Sequence, residues 1–282
     1  MAMKLLSITS ILGIGAPIVM GYPGAARETA ANSVMANSSI SIPLDVTAPV
    51  NMTQATSTVG SASQVTPPPN DAAMDSGNFM VTLINSHTAP VVTIHGHGAG
   101  APPAVGKDTE PHTMSRGQTE TFAVPTGWSG RVAMFEDGYE KILDRATLLE
   151  GSFMVNQGSA RIALDVSYVD AFTVPMVCEC NGAVALGCNL DLNAGCPKNL
   201  TLNEKTCKNP NREVLHGAPP YNPFEACKAM AYTYPQDDLA TKYDMPGCSR
   251  STTCCIGTAC KPHPGQTLCP AGNGQTRPCA GA

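Results

Sequence analysis

Apolar and polar positions alternate along the middle of the chain. In "ARIALDVSY", Ile162, Leu164, Val166 and Tyr168 fall on one parity, and Ala163, Asp165 and Ser167 on the other. That is the period of a strand with one buried face. Upstream, Phe79, Val81 and Leu83 alternate with Met80, Thr82 and Ile84, and "PVVTIHG" predicts a second strand. "RGQTETFAVPTGWSGRVAMFEDG" supplies two more, divided by the turn residues "PTGWSG", and "SFMVNQG" precedes the strand first described. Pro175 has no N–H to donate and ends ladder pairing there. Short strands, Gly/Pro turns and few helical periods predict an all-β fold, an antiparallel β-sandwich. After Cys180 the pattern gives way to loops, with one short helix expected near "NPFEACKAMAY".

Composition narrows the function. Only 14% of the 282 residues are charged and the net charge is −5, which lacks the basic footprint of a nucleic-acid binder. A single Trp argues against a broad aromatic groove. The N-terminus "MAMKLLSITSILGIGAPIVMGYPGAARE" has a Lys4 n-region, a short apolar run from Leu5 and small residues at Gly24, Ala25 and Ala26. It predicts a secretory signal over residues 1–26. No other segment is apolar and long enough to span a membrane, and "QTRPCAGA" lacks the tail of a lipid-anchor signal.

Secretion determines how the cysteines are read. Cys178, Cys180, Cys188, Cys196, Cys207, Cys227, Cys248, Cys254, Cys255, Cys260, Cys269 and Cys279 are even in number and confined to the last 105 residues. An oxidising route favours six disulfides, with connectivity open and the adjacent Cys254 and Cys255 bonded to different partners. The spacings repeat no CxxC pair, which disfavours thiolate zinc. Residues 27–77 are rich in Ser, Thr, Ala, Asn and Pro without an aromatic, the composition of a disordered stalk. Asn37 ("NSS"), Asn51 ("NMT") and Asn199 ("NLT") are glycosylation acceptors in form.

"DVSYVDAFTVPM" resembles the strand "DxSxVDGFNxPM" of the thaumatin-like (osmotin) proteins. In the same order, "FMVTLINSHTAPVV" looks like their first strand pair and "GQTETFAVPTGWSGRV" like "GES…VPxGxxGRI". "TLLEGSF" resembles "TLAEF", "GCNLDLNAGCPKNL" resembles "CxxDIxxxCPxxL", and "ACKAMAYTYPQDD" resembles "CPxAYSYAYDD". The resemblance runs from Phe79 to Cys248 and is strongest to fungal secreted members. It implies a flattened sandwich over residues 78–177 and a Cys-rich lobe over 178–248. Residues 249–282, with no counterpart, are set apart as a C-terminal extension.

The resemblance also implies an acidic cleft that binds β-1,3-glucan and, in some members, hydrolyses it weakly. Glu150 falls on the cleft Glu, and Asp237 and Asp238 on the cleft Asp. Phe135 falls where the cleft Arg is expected, with Arg131 matching an earlier strand Arg. A "TGDC" loop is absent, leaving Glu136 and Asp137 as nearby acids, and His87 stands where a Cys is usual. Hydrolysis requires two carboxyls roughly 5–10 Å apart, one of them protonated. Glu150 and Asp237 are the catalytic candidates, but the departures favour binding without efficient catalysis. The expected partner is a cell-wall β-glucan or a host extracellular target, met by a monomer without a cofactor. An adhesin or secreted effector with no carbohydrate ligand is a further reading. His95 and His97 are two apart and could hold copper or zinc with His87 or His112. Among glycines, an ordinary exposed loop is the preferred reading.

Overall fold

The computed structural model describes residues 77–106, 110–142, 144–272 and 274–279. The expected signal, the stalk up to residue 76, Asn37 and Asn51 lie outside them. In chain order the strands are β1 (Phe79–Asn85), β2 (Val91–His97), β3 (His112–Met114), β4 (Thr119–Val124), β5 (Trp128–Glu136), β6 (Thr147–Asn156), β7 (Ser159–Ser167) and β8 (Ala171–Phe172). They continue as β9 (Met176–Cys180), β10 (Ala183–Cys188), β11 (Thr201–Asn203), β12 (Thr206–Lys208), β13 (Lys242–Tyr243), β14 (Ser251–Ile256), β15 (Leu268–Gly272) and β16 (Gln275–Pro278). The expected short helix is a single 3-10 turn, Glu225–Cys227.

Two sheets dominate: a five-stranded one in the order β10-β9-β14-β1-β4 and a six-stranded one in the order β13-β7-β6-β5-β2-β3. Their inner faces share one core. Phe79, Val81 and Leu83 meet Val132, Met134, Leu149 and Phe153 there, with the Phe79 and Phe153 rings 5.5 Å apart. The alternation in β7 holds: Ile162, Leu164, Val166 and Tyr168 are all buried. The fold is the all-β sandwich expected, with one parallel pair among the strands named above. β1 and β14 run parallel, Leu83 facing Cys254. β14 comes from the segment set apart as an extension, yet it lies between β9 and β1 inside the five-stranded sheet.

All twelve cysteines form disulfides, and Cys254 and Cys255 do bond to different partners. Cys178–Cys254 joins directly opposed residues of β9 and β14. Cys180–Cys248 encloses a loop nested within it, and Cys188–Cys227 and Cys196–Cys207 are nested further inside. Cys255–Cys260 and Cys269–Cys279 close short local loops near the C-terminus. These links constrain loops whose Leu190, Phe224 and Met230 join the core.

The β6–β7 hairpin sets the geometry of the outer face. Gln157 and Gly158 both have positive φ, at 49° and 80°. Two such residues in a two-residue turn match the twist of the flanking strands. The turn fixes Asn156 opposite Ser159, and the register then runs unbroken to Glu150 opposite Asp165.

Candidate functional site

Inward positions of the six-stranded sheet are taken by the core, so its other parity faces away from the sandwich. On that outer face Arg131 of β5 lies opposite Glu150 of β6, and Glu150 lies opposite Asp165 of β7. Side chains directly opposed across antiparallel strands stand about 4.5–5.5 Å apart at Cβ. One cation and two carboxyls therefore form a row across three neighbouring strands. The next outward residue of β7, Ser167, lies beside Glu150 and eases its charge, and half-buried Asp170 lies close enough to repel it.

Electrostatics sets this row apart. Burial pushes the Glu150 carboxyl above its ordinary range, against the pull of Arg131, and Asp170 adds to the rise. Asp165 is raised well above its ordinary range, by burial first and by Glu150 second. Asp170 is raised by burial while Arg131 and Arg145 oppose the rise. Its carboxylate also pairs with Arg212 Nε at 2.8 Å, and Arg212 and Arg145 both reach Asp144. Two interacting carboxyls with raised affinity for protons hold one proton between them more readily than isolated acids do. Such a pair offers a donor and several acceptors at once.

The loop lobe borders this face. Tyr232 bridges to Ser167 in parallel and accepts the backbone bond of Tyr168. Its hydroxyl lies 2.6 Å from Thr241 Oγ1 and donates to Asp238 Oδ1 at 3.2 Å. The nearby negative charge of Asp165 and Asp238 adds to burial in raising the affinity of that phenol for its proton.

The structure brings some expected residues together and separates others. Glu150 is central, and exposed Asp238 lies at the border through Tyr232. Asp237 is 2% exposed, and its carboxylate accepts bonds from Thr233 Oγ1 at 2.9 Å, from the Thr233 N–H and from the Ala229 N–H. Those bonds tie down the loop before the 3-10 turn Asp238–Ala240 and use up its acceptors. Glu136 is at the far end of β5, on the inward parity, paired with His87 Nε2 at 2.8 Å and Lys205 Nζ at 3.1 Å. Asp137 pairs with Lys141. His87 is thus tied to Glu136 through its Nε2. Asn199 is exposed in a turn.

One reading of the sequence is corrected, that of His95. Arg131, matched in the sequence to a strand Arg, stands opposite Glu150. Phe135 does not vacate a cleft position. It is buried in a small apolar cluster with Ala133, Ala146 and Leu148. His95 is not part of an exposed loop, because β2 extends to His97 and turns His95 inward, where it is 5% exposed. His97, at the strand end, is exposed, so the two do not share an environment. Asp165 and Asp170 were passed over although both lie within the quoted "DVSYVD".

These features define a class: a disulfide-bonded, all-β protein with a carboxyl-rich outer face. Six bridges and no free cysteine fit an extracellular protein, and no helix among the described residues is long and apolar enough to cross a membrane. The chain matches no family model and no curated protein. Among solved structures it is similar to the protein elicitor MoHrip2 from Magnaporthe oryzae. That likeness has 11% identity and a TM-score of 0.35, over 63% of this chain and 98% of that one. At that score it bears on neither fold nor function.

Proposed function

We propose that this chain is a secreted, thaumatin-like carbohydrate-binding protein of the cell wall or extracellular space. It takes β-glucan-type chains on the outer face of its six-stranded sheet and does not turn them over efficiently. The observation that carries the reading is the row Arg131–Glu150–Asp165, with Ser167 and Asp170 beside it. Sugar hydroxyls donate and accept, and this row does both. Each net hydrogen bond contributes about 1 kcal/mol, so a few give weak, extended binding. The motif resemblance from Phe79 to Cys248 supports the same reading.

A second reading, weak endo-β-1,3-glucan hydrolysis, is favoured by the same pair. Glycosidases use paired carboxyls, one of them with a raised affinity for its proton, and Glu150 and Asp165 stand opposed on adjacent strands with both carboxyls raised. Against it, Glu150 and Asp165 stand side by side on one flat face, whereas hydrolysis needs the groups to flank the scissile bond.

The test is retention of the oxidised protein on insoluble β-1,3-glucan, with release of reducing sugar from laminarin measured in parallel. Wild type is expected to bind, and Glu150→Gln with Asp165→Asn to lose most of the binding, with no hydrolysis in either. No retention of wild type defeats the proposal. Sugar release that the double substitution abolishes establishes the hydrolase instead.

A further inference from the structure

We propose that Tyr243 is a stacking platform on the outer face of the six-stranded sheet. It covers the C–H side of one pyranose unit whose hydroxyls are all equatorial, the form of β-linked glucose. This role rests on the glucan-binding reading and adds a residue outside the carboxyl row.

β13 is an edge strand of that sheet, and Tyr243 lies directly opposite Ala163 of β7. Ala163 shares the outward parity of Asp165, so the tyrosine ring stands on the same face as the carboxyl row. Tyr243 is 69% exposed. Its neighbour across the ladder is an alanine, and Ser152 stands opposite that alanine on β6. Neither is tall enough to cover the ring from the side. Asp165, two residues along β7 from Ala163, is the diagonal neighbour of Tyr243. Diagonal neighbours stand about 7–8 Å apart, within reach of an aromatic side chain. One sugar laid on the ring therefore has its rim at the carboxyl row.

Single exposed rings are ordinary on protein surfaces. Tyr243 differs because its backbone is held on both sides. Before it, Thr241 Oγ1 lies 2.6 Å from the Tyr232 hydroxyl, and Lys242 Nζ donates to the Leu239 carbonyl at 2.6 Å. After it, the Asp244 N–H donates to the Ile162 carbonyl at 2.9 Å. The Asp244 carboxylate accepts from the Ile162 N–H at 3.0 Å and pairs with Arg161 Nε at 2.7 Å. Asp244 holds a φ of 44°, a left-handed conformation that costs energy in any residue but glycine. Backbone strain beside a large, uncovered ring is accounted for when the ring is held ready for something outside the chain.

The negative face of an aromatic ring attracts C–H groups. Glucose with every hydroxyl equatorial turns C–H groups to both faces of its ring and its hydroxyls to the rim. The carboxyl row alone fixes hydroxyls, which any polyol carries. A flat apolar face beside that row adds recognition of the ring itself, the usual division of labour between apolar and polar groups in a binding site.

The test titrates the full secreted, oxidised chain with laminarihexaose, a soluble β-1,3-linked glucose oligomer, by calorimetry. Covering about 40 Å² of ring face at about 25 cal/mol per Å² corresponds to roughly 5-fold in affinity. Tyr243→Ala is expected to show that loss, and Tyr243→Phe and Tyr243→Trp to bind as wild type does, because both keep the ring face. Rescue by a ring alone separates stacking from a hydrogen bond of the phenol. Full affinity in Tyr243→Ala, with binding lost in Glu150→Gln combined with Asp165→Asn, overturns the stacking role and leaves the glucan reading standing. Equal losses in Tyr243→Phe and Tyr243→Ala overturn it too, since the hydroxyl and not the ring face would then be what binds. No binding by wild type defeats both.

Discussion

Removing Cys178–Cys254 is expected to cost far less than its sequence separation of 76 suggests. In the loop-entropy account, closing that span alone would contribute about 4.5 kcal/mol. However, Cys180–Cys248, with a separation of 68, lies inside it. With the inner bridge intact, the outer one closes only the eight chain steps by which the two separations differ, plus the linkage itself. That shorter ring is worth about 2.6 kcal/mol, and the same figure applies to removing the inner bridge alone. When both are removed, the remaining Cys188–Cys227, with a separation of 39, leaves an effective loop shorter by that much. Restoring the pair then contributes about 3.6 and 2.6 kcal/mol in turn, so joint removal costs about 6 kcal/mol. Single losses sum to about 5 kcal/mol, leaving a coupling near 1 kcal/mol. Cys→Ala also deletes buried sulfur, but that loss enters single and joint variants alike and cancels in a double-mutant cycle. Guanidinium unfolding followed through Trp128, the one tryptophan and 5% exposed, reads the transition. A cost near 4.5 kcal/mol for the single Cys178–Cys254 deletion, or strict additivity, would refute the nesting argument.

Two further outcomes follow from the outer sheet and its underside. In Gly151→Ala the new methyl would sit 2.6 Å from Leu164 Cδ2 and 2.7 Å from the Ala163 carbonyl oxygen. The backbone atom cannot swing aside, so a loss of about 1–3 kcal/mol is expected in the same unfolding assay, and a neutral result would mean the strands separate freely. Asp165 binds its proton more tightly in the fold than its ordinary 3.8 allows. The stability it lends is therefore complete below the unfolded value and is lost as pH rises through the raised folded value. Thermal scans from about pH 4 to pH 8 should show wild type losing stability upward. Asp165→Asn should flatten that slope and melt a few degrees higher at neutral pH, where about 1 kcal/mol shifts the midpoint by about 2–4 °C in a fold this size. A lower midpoint for Asp165→Asn would show its ionised form to be favoured.

What could be read from the sequence followed the reach of each signal. Alternation located β1, β2 and β4 to β7, because one face of each is buried and local pattern records burial. It missed the role of β14. "STTCCI" has no long alternation, and its place beside β1 depends on a parallel pairing between residues far apart in the chain. Disulfide number was legible from cysteine count and compartment, whereas the nesting needed coordinates. His95 was misread because Gly96 and Gly98 follow it, and the glycines suggested a loop. The ladder continues through Gly96 opposite Arg131 and His97 opposite Gly130, and it was this long-range pairing that fixed which way His95 points.

The carboxyl row was more legible than it was read to be. "VNQGSA" is a two-residue hairpin turn, and any such turn at Gln157–Gly158 puts Glu150 opposite Asp165 by counting outward. Arg131 was not available in this way, since the β5–β6 connection is long and fixes no register. Physical cost then separates this pair from the other acids of the chain. Asp237 is satisfied by loop hydrogen bonds and Glu136 by Lys205 and His87. Their burial is explained by what they hold together. Glu150 and Asp165 are half-buried, desolvation raises both carboxyls, and Glu150 raises Asp165 further. A row of Ser, Thr or Asn would fit the same strands at less cost. Residues that lower stability without a packing reason point to function at that place, and this is why the proposed binding falls on the outer face of the six-stranded sheet and not on the loop that carries Asp237.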